Sequence, residues 1–317
     1  MNAPPPAREQ AIDQFRGLAI ALMVCANYAE HVRAVPAWAK HAPDIGITIV
    51  DFIAPAFIFA IGLTYAASVR RRLGAQDVQR TLEHVVKRAL ALIGLGLLFT
   101  MGEQSWGFNH GQPWGTLQAI GVAIALSLPA LWLAPWPRLA VAVALLAGYQ
   151  LMLGHGWLEA VLAASHAGIQ GSLSWTALLL IATVFADLRP RPARYLALAV
   201  VMLTLGVVLA PWLPISKHRM SLTFVFVVAA AAALAFAALE RWVAARGPLP
   251  ALGCWGKNPL VLYVTHLVLM AVFLVPQARW WHVEAPLAQA MVQGVAFVAV
   301  LHGWARFLER RSIVIAL

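Results

Sequence analysis

Several polar side chains of this sequence stand in or beside long apolar runs: Arg16, Asn27, Asp51, Gln118, Asn258 and His266, with Lys40, His41 and Lys217 close by in short connections. An ionisable group at the centre of a bilayer costs about 2.5–3.5 kcal/mol on insertion scales, so each one inside a span needs a partner, a cavity or a substrate. Asp51 is the most demanding. It lies about a turn inside an apolar run, and Pro55, four residues on, has no N–H for the Asp51 carbonyl. That pattern predicts a kink with polar backbone exposed beside a cavity. A row of such groups across a membrane forms a path, which suits transfer of a chemical group or movement of a polar solute.

Other chemistries have no matching spacing. There is no HExxH, no GxGxxG after a strand, no P-loop and no GxSxG, so neither a metal nor a nucleotide fold is expected. Cys25 and Cys254 fall in a span and in a connection, without the neighbours that activate a thiolate. Each polar residue also has a plainer account. Asp13 and Arg16 form an i, i+3 pair at a helix start; Asn27, Gln118 and Asn258 can be hydrogen-bond glue between helices; Lys217 can be solvated and His41 a surface histidine.

The elements that must position these groups are helices. Of 317 residues, 62% are hydrophobic and 11% charged, against about 45–50% and about 25% in soluble domains. About ten apolar runs are long enough to cross a core about 30 Å thick: 15–31, 46–70, 84–101, 115–134, 139–153, 173–187, 194–212, 220–243, 256–275 and 284–308. The expected fold is all-α, a polytopic integral membrane protein. Residues 1–11, with Pro4 to Pro6, are read as a disordered tail and 12–317 as one transmembrane domain. The start does not have the form of a cleavable signal peptide.

Charge orients the helices. With a cytoplasmic N-terminus, alternate connections collect eighteen of the 23 Lys and Arg residues, leaving Arg33, Lys40, Lys217, Arg219 and Arg279 on the far side. Such a bias puts both termini in the cytoplasm. The net charge of +10 is then mainly a topology signal and no nucleic-acid partner is expected; for Arg70 to Arg72 the alternative is an anionic nucleotide or lipid headgroup. Asn27 lies about 16 Å above Arg16 at 1.5 Å per residue. Asn27, His41, Asp51, Gln118 and Lys217 collect near the outer face, while Arg16, Asn258 and His266 mark a way down to the cytoplasm.

Five stretches resemble, in order, those of the heparan-alpha-glucosaminide N-acetyltransferase family. FRGLAIALMVCANY is similar to its opening helix, KHAPDIGITIVDFIAPAFIFAIGL to its catalytic loop and second helix, and GTLQAIGVAIAL to its LQR helix. LPISKHRMSLTFV is similar to the lysine-bearing start of a late helix, and GKNPLVLYVTH to its asparagine-to-histidine helix.

The resemblance implies an acetyl group taken from cytoplasmic acetyl-CoA and delivered to an amine or hydroxyl of an extracytoplasmic sugar. It makes His41, of the KHA motif, the catalytic residue, as base or nucleophile. Asp51 would orient its ring, and Asn27 and Gln118 would donate to the developing oxyanion. Arg16, Lys40, Gln118, Lys217, Asn258 and His266 fall to substrate and acyl-CoA binding. The expected setting is a bacterial inner membrane, with lipids as surroundings and a homo-oligomer open to the chain. Departures bear on the acceptor more than on the reaction. Ala119 replaces the arginine of LQR, HAGIQGSLSW lacks the acidic and proline residues of a DPEG stretch, and Leu267 follows His266 where an acid is frequent. The alternatives are a transporter or flippase with no covalent step, and a structural subunit whose polar residues only bind helices together.

Overall fold

The computed structural model describes residues 7–105, 114–271 and 279–315. Among them it holds twelve α-helices and no strand, with an isolated bridge between Gly46 and Ser216. The helices are α1 (Ala7–Glu30), α2 (Ile53–Ala75), α3 (Val78–Ser105), α4 (Thr116–Ser127), α5 (Pro135–Met152), α6 (Leu158–Leu162), α7 (Ser172–Leu188), α8 (Pro192–Val208), α9 (Leu222–Arg246), α10 (Pro250–Lys257), α11 (Pro259–Leu269) and α12 (Leu287–Arg310).

Among the described residues five helical stretches are long and apolar enough to cross a membrane: Ile49–Ala75, Val78–Gly102, Pro135–Leu162, Leu222–Arg246 and Leu287–Arg310. Thr116–Trp132, Ser172–Leu188, Pro192–Val208 and Pro259–Leu269 are apolar but shorter. Outward faces are oily: Val292 and Val295 on α12 are 71% and 70% exposed, and Leu98 on α3 is 72% exposed. Apolar faces of this kind are rare on proteins surrounded by water.

Three boundaries differ from those read in the sequence. Helix α1 begins at Ala7, inside the stretch read as a tail, because good helix formers follow the last proline at once; residues 1–6 lie outside the described residues. The run 46–70 is not helical from its start. The chain is irregular to Thr48, forms a 3-10 turn over Ile49–Phe52 and becomes α-helical at Ile53. Pro55 therefore stands in the first α-turn, where a missing N–H costs nothing, and marks a change of helix type rather than a kink within a helix. The run 256–275 breaks at Asn258, whose φ of −129° and ψ of 55° are those of a residue pushed out of the α region by the following Pro259. Residues 272–275 of that run lie outside the described residues.

The described chain forms two compact units. The first holds α1 with the loop to His41, residues Thr48–Phe57 and the chain from Ala235 onward; the second holds Ala42–Ile47 and Ile58–Leu234. The chain passes between them inside α2 and α9 and at the two ends of the 42–47 loop.

In the first unit α1 packs along α10, and two glycines make the crossing possible. A Cβ on Gly17 would stand 2.0 Å from the Leu252 carbonyl oxygen, and one on Gly256 would stand 1.7 Å from that of Asp13. Small residues let backbones approach this closely. Phe15 meets Phe236 edge-on at 5.5 Å, and the Tyr28 hydroxyl donates to Gln293 at 2.8 Å.

The second unit is built around α7, which is buried over nearly its whole length with Trp175 and Phe185 at its core, and packs against α4 and α5. Two buried tyrosine hydroxyls are satisfied by backbone across helices: Tyr65 donates to the Ile124 carbonyl and Tyr195 to that of Ala233.

Gly17→Ala and Gly256→Ala are each expected to destabilise the protein by about 1–3 kcal/mol through overpacking against rigid backbone. Thermal unfolding in detergent checks this. An unchanged melting temperature would mean that α1 and α10 separate freely.

Candidate active site

His41 ends a loop that leaves α1, and Asp51 comes back to it because of the 3-10 turn at Ile49–Phe52. That turn brings Asp51 over Thr48, where its Oδ2 accepts from the Thr48 backbone N–H at 2.9 Å and lies 3.1 Å from the Thr48 hydroxyl. The hydroxyl also donates to the Lys40 carbonyl at 2.6 Å, tying the two ends of the loop together. Its one proton is shared between these contacts, and the shorter one has first claim.

Asp51 Oδ1 then faces His41 Nδ1 at 2.8 Å. The acid has no exposed side-chain surface, whereas the imidazole is 30% exposed. The His41 backbone N–H donates to Glu30 Oε2 at 3.3 Å, so α1 holds the loop from a second direction. A carboxylate accepting at Nδ1 keeps the proton on that nitrogen and leaves Nε2 as a lone pair. Nε2 has no hydrogen-bond partner among the described residues. An imidazole held this way can accept a proton or attack a carbonyl at Nε2.

A second polar pair lies in the same unit. The Asn27 amide nitrogen is 2.9 Å from His266 Nε2, joining α1 to α11, and His266 is wholly buried with Nδ1 unpartnered. With the Asn27 amide donating, one of its two N–H groups is used by this contact. At the other end of α1, Arg16 donates to Asp13 and to the Gly256 carbonyl, both at 3.3 Å. Asn258 is 1% exposed and clasps the C-terminal stretch, donating to the Ile313 carbonyl and accepting from the Ile315 N–H, both at 2.8 Å.

The family described as "Heparan-alpha-glucosaminide N-acetyltransferase, catalytic" matches residues 8–268, a stretch that includes every residue above except Ile313 and Ile315. The chain belongs to this family. Among curated proteins it is 32% identical over 130 residues to heparan-alpha-glucosaminide N-acetyltransferase of Homo sapiens, covering 38% of this chain and 18% of that protein. It is likewise 32% identical over 123 residues to the Mus musculus protein of the same name, covering 36% and 18%. The matches thus span under a fifth of those relatives.

The remaining residues singled out in this family member lie in the second unit. Gln118 is wholly buried on α4 and donates to the Thr100 hydroxyl at 3.0 Å, and Gly96 leaves room for its amide. Ala119, where the family has arginine, is buried as well. Lys217 is partly exposed at the foot of α9, and its carbonyl accepts from the Met220 N–H. No group of three or more metal-ligating side chains occurs among the described residues.

Asp44, Arg219 and Ser216 were not picked out from the sequence. Asp44 forms a two-pronged pair with the Arg219 guanidinium, with Nε at 2.8 Å, and accepts from the Ser216 hydroxyl at 2.9 Å. The Gly46 N–H donates to the Ile215 carbonyl at 2.8 Å. The stretch that follows His41 is pinned by these bonds. Glu30 and Thr48 also gave little sign in the sequence, since a glutamate at a helix end and a loop threonine are common.

The hydrogen bond and charge of Arg219 hold the Asp44 carboxyl below the usual carboxylate range. A depressed folded-state value contributes stability that is present above the unfolded value of about 3.9 and lost as pH falls through the folded one. Asp44→Asn is therefore expected to lower the melting temperature by a constant amount between about pH 5 and 7, the gap to wild type closing below about pH 4. A gap independent of pH would remove the carboxylate's charge from this anchoring.

Proposed function

We propose that this protein is a membrane acyltransferase that takes the acetyl group of cytoplasmic acetyl-CoA and delivers it to the amine or hydroxyl of an extracytoplasmic amino sugar. Membership of a family named for N-acetyltransfer to a glucosaminide supports the reaction class. The observation that carries the assignment to particular residues is the His41 Nδ1 to Asp51 contact at 2.8 Å, with the acid buried and the imidazole part-exposed.

His41 Nε2 takes the proton of the acceptor amine or hydroxyl as that atom attacks the thioester carbonyl. The C–S bond then breaks, and the departing CoA sulfur receives the proton from the imidazolium. Asp51 stabilises the imidazolium formed on the way, without itself gaining a proton. The second N–H of Asn27 is the candidate donor to the oxyanion. Lys40 lies beside His41 on the acceptor's side of the path, and Arg16 and His266 mark the way down to the cytoplasm from which CoA enters. This reading carries the topology with it: about ten crossings, both termini in the cytoplasm and His41 on the outer side of a cell membrane.

The test follows CoA release by the detergent-purified chain supplied with acetyl-CoA and glucosamine. His41→Ala is expected to abolish release while the protein still inserts and folds, with a lowered melting temperature because Oδ1 of the buried Asp51 loses its partner. Asp51→Asn is expected to lower kcat by about 10²-fold or more, the usual worth of a positioned acid–base group. Near-normal turnover by His41→Ala would remove the histidine from the mechanism. A trapped acetyl group on His41 would replace the direct attack by a two-step route through the same Nε2.

A further inference from the structure

A cleft of about 530 Å³ opens in the second unit where α2 ends and α5 begins. Its walls are apolar, formed by Leu73, Leu131, Trp132 and Leu133, and its charged side carries Arg70, Arg138 and Asp187. Arg138 is 1% exposed and its two terminal nitrogens bind the protein: Nη1 donates to Asp187 at 2.9 Å and to Thr183 at 3.1 Å, and Nη2 to the Leu133 carbonyl at 2.7 Å. Arg70 donates to the same carboxylate at 2.6 Å but remains half-exposed at the mouth. Two guanidinium groups share one carboxylate, so one positive charge is left over, and it sits where the cleft opens.

Position limits what can use it. Arg70 lies near the end of the candidate span Ile49–Ala75, and Arg138 near the start of Pro135–Leu162. Span ends lie at the boundary between hydrocarbon and headgroups, where exposed tryptophan such as Trp132 is favoured. A soluble anion has no use for the leucine walls, and a neutral lipid leaves the charge unanswered. We propose that this cleft binds the phosphate of an anionic membrane phospholipid at Arg70, with an acyl chain along Leu73, Leu131 and Leu133. The cleft shares no residue with the His41 site, and the proposal stands whether or not the acyltransferase reading does.

The protein is purified in mild detergent and offered phosphatidylglycerol or phosphatidylcholine of equal chain length, with native mass spectrometry reading the lipid retained. Wild type is expected to keep phosphatidylglycerol in preference. Arg70→Ala should lower that retention about fivefold, the worth of one basic residue at a membrane surface, while Arg71→Ala, one residue along, changes it by less than about twofold. Arg70→Lys, which keeps the charge, should retain most of the lipid. Equal retention of the two lipids by wild type, or equal loss in Arg70→Ala and Arg71→Ala, would overturn the proposal. So would displacement of bound phosphatidylglycerol by inorganic phosphate or by CoA, which would assign the site to a soluble phosphate.

Discussion

A carboxylate with no surface in contact with solvent has to be answered by the groups around it, and Asp51 sets that requirement for the region that bears His41. The Thr48 N–H and hydroxyl serve one oxygen and the His41 ring serves the other. Because Thr48 also binds the Lys40 carbonyl, the demand made by one acid shapes the loop that carries the imidazole. The 3-10 turn has the same origin, since it is this turn, ahead of Pro55, that brings Asp51 back over Thr48. Remove the acid and the loop loses its internal reason for closing.

Where helices meet, small side chains and backbone acceptors take the place that hydrophobic contrast has in water. Lipid tails are as apolar as leucine, so burial alone gives helices little reason to prefer each other to the bilayer. Close crossings such as α1 on α10, and hydroxyls of Tyr65 and Tyr195 donating to carbonyls of neighbouring helices, supply specific contact instead. Meanwhile α12 leaves its valines outward, as a helix facing lipid should.

The helical class and the demand made by Asp51 are legible in the sequence, because hydrocarbon makes polar residues conspicuous; His41 stands out through the KHA resemblance, and Asn27 and His266, both polar residues in apolar runs, are in contact. The sequence did not disclose contacts between distant loops. Asp44 and Arg219 are 175 residues apart and each looks like an ordinary loop charge. Arg138 was counted among charges that orient the chain, a rule that treats every basic residue at a span end as solvated, yet it is buried against Asp187. Asn258 was read as a CoA contact within a continuous run. The Asn258–Pro259 step held the signal for a break, and the side chain turns out to hold backbone at Ile313 and Ile315.

Gly17 and Gly256 give the α1–α10 crossing an unusual mutational profile. Most core positions have a tolerant neighbour in chemical space, valine for isoleucine or methionine for leucine. Here every replacement adds at least one carbon to a space already occupied by a carbonyl oxygen. Neither position has a conservative substitute, so relief must come from a shift of the opposing backbone, and a lineage that loses one glycine has to move two helices to keep Arg16 beside the Gly256 carbonyl.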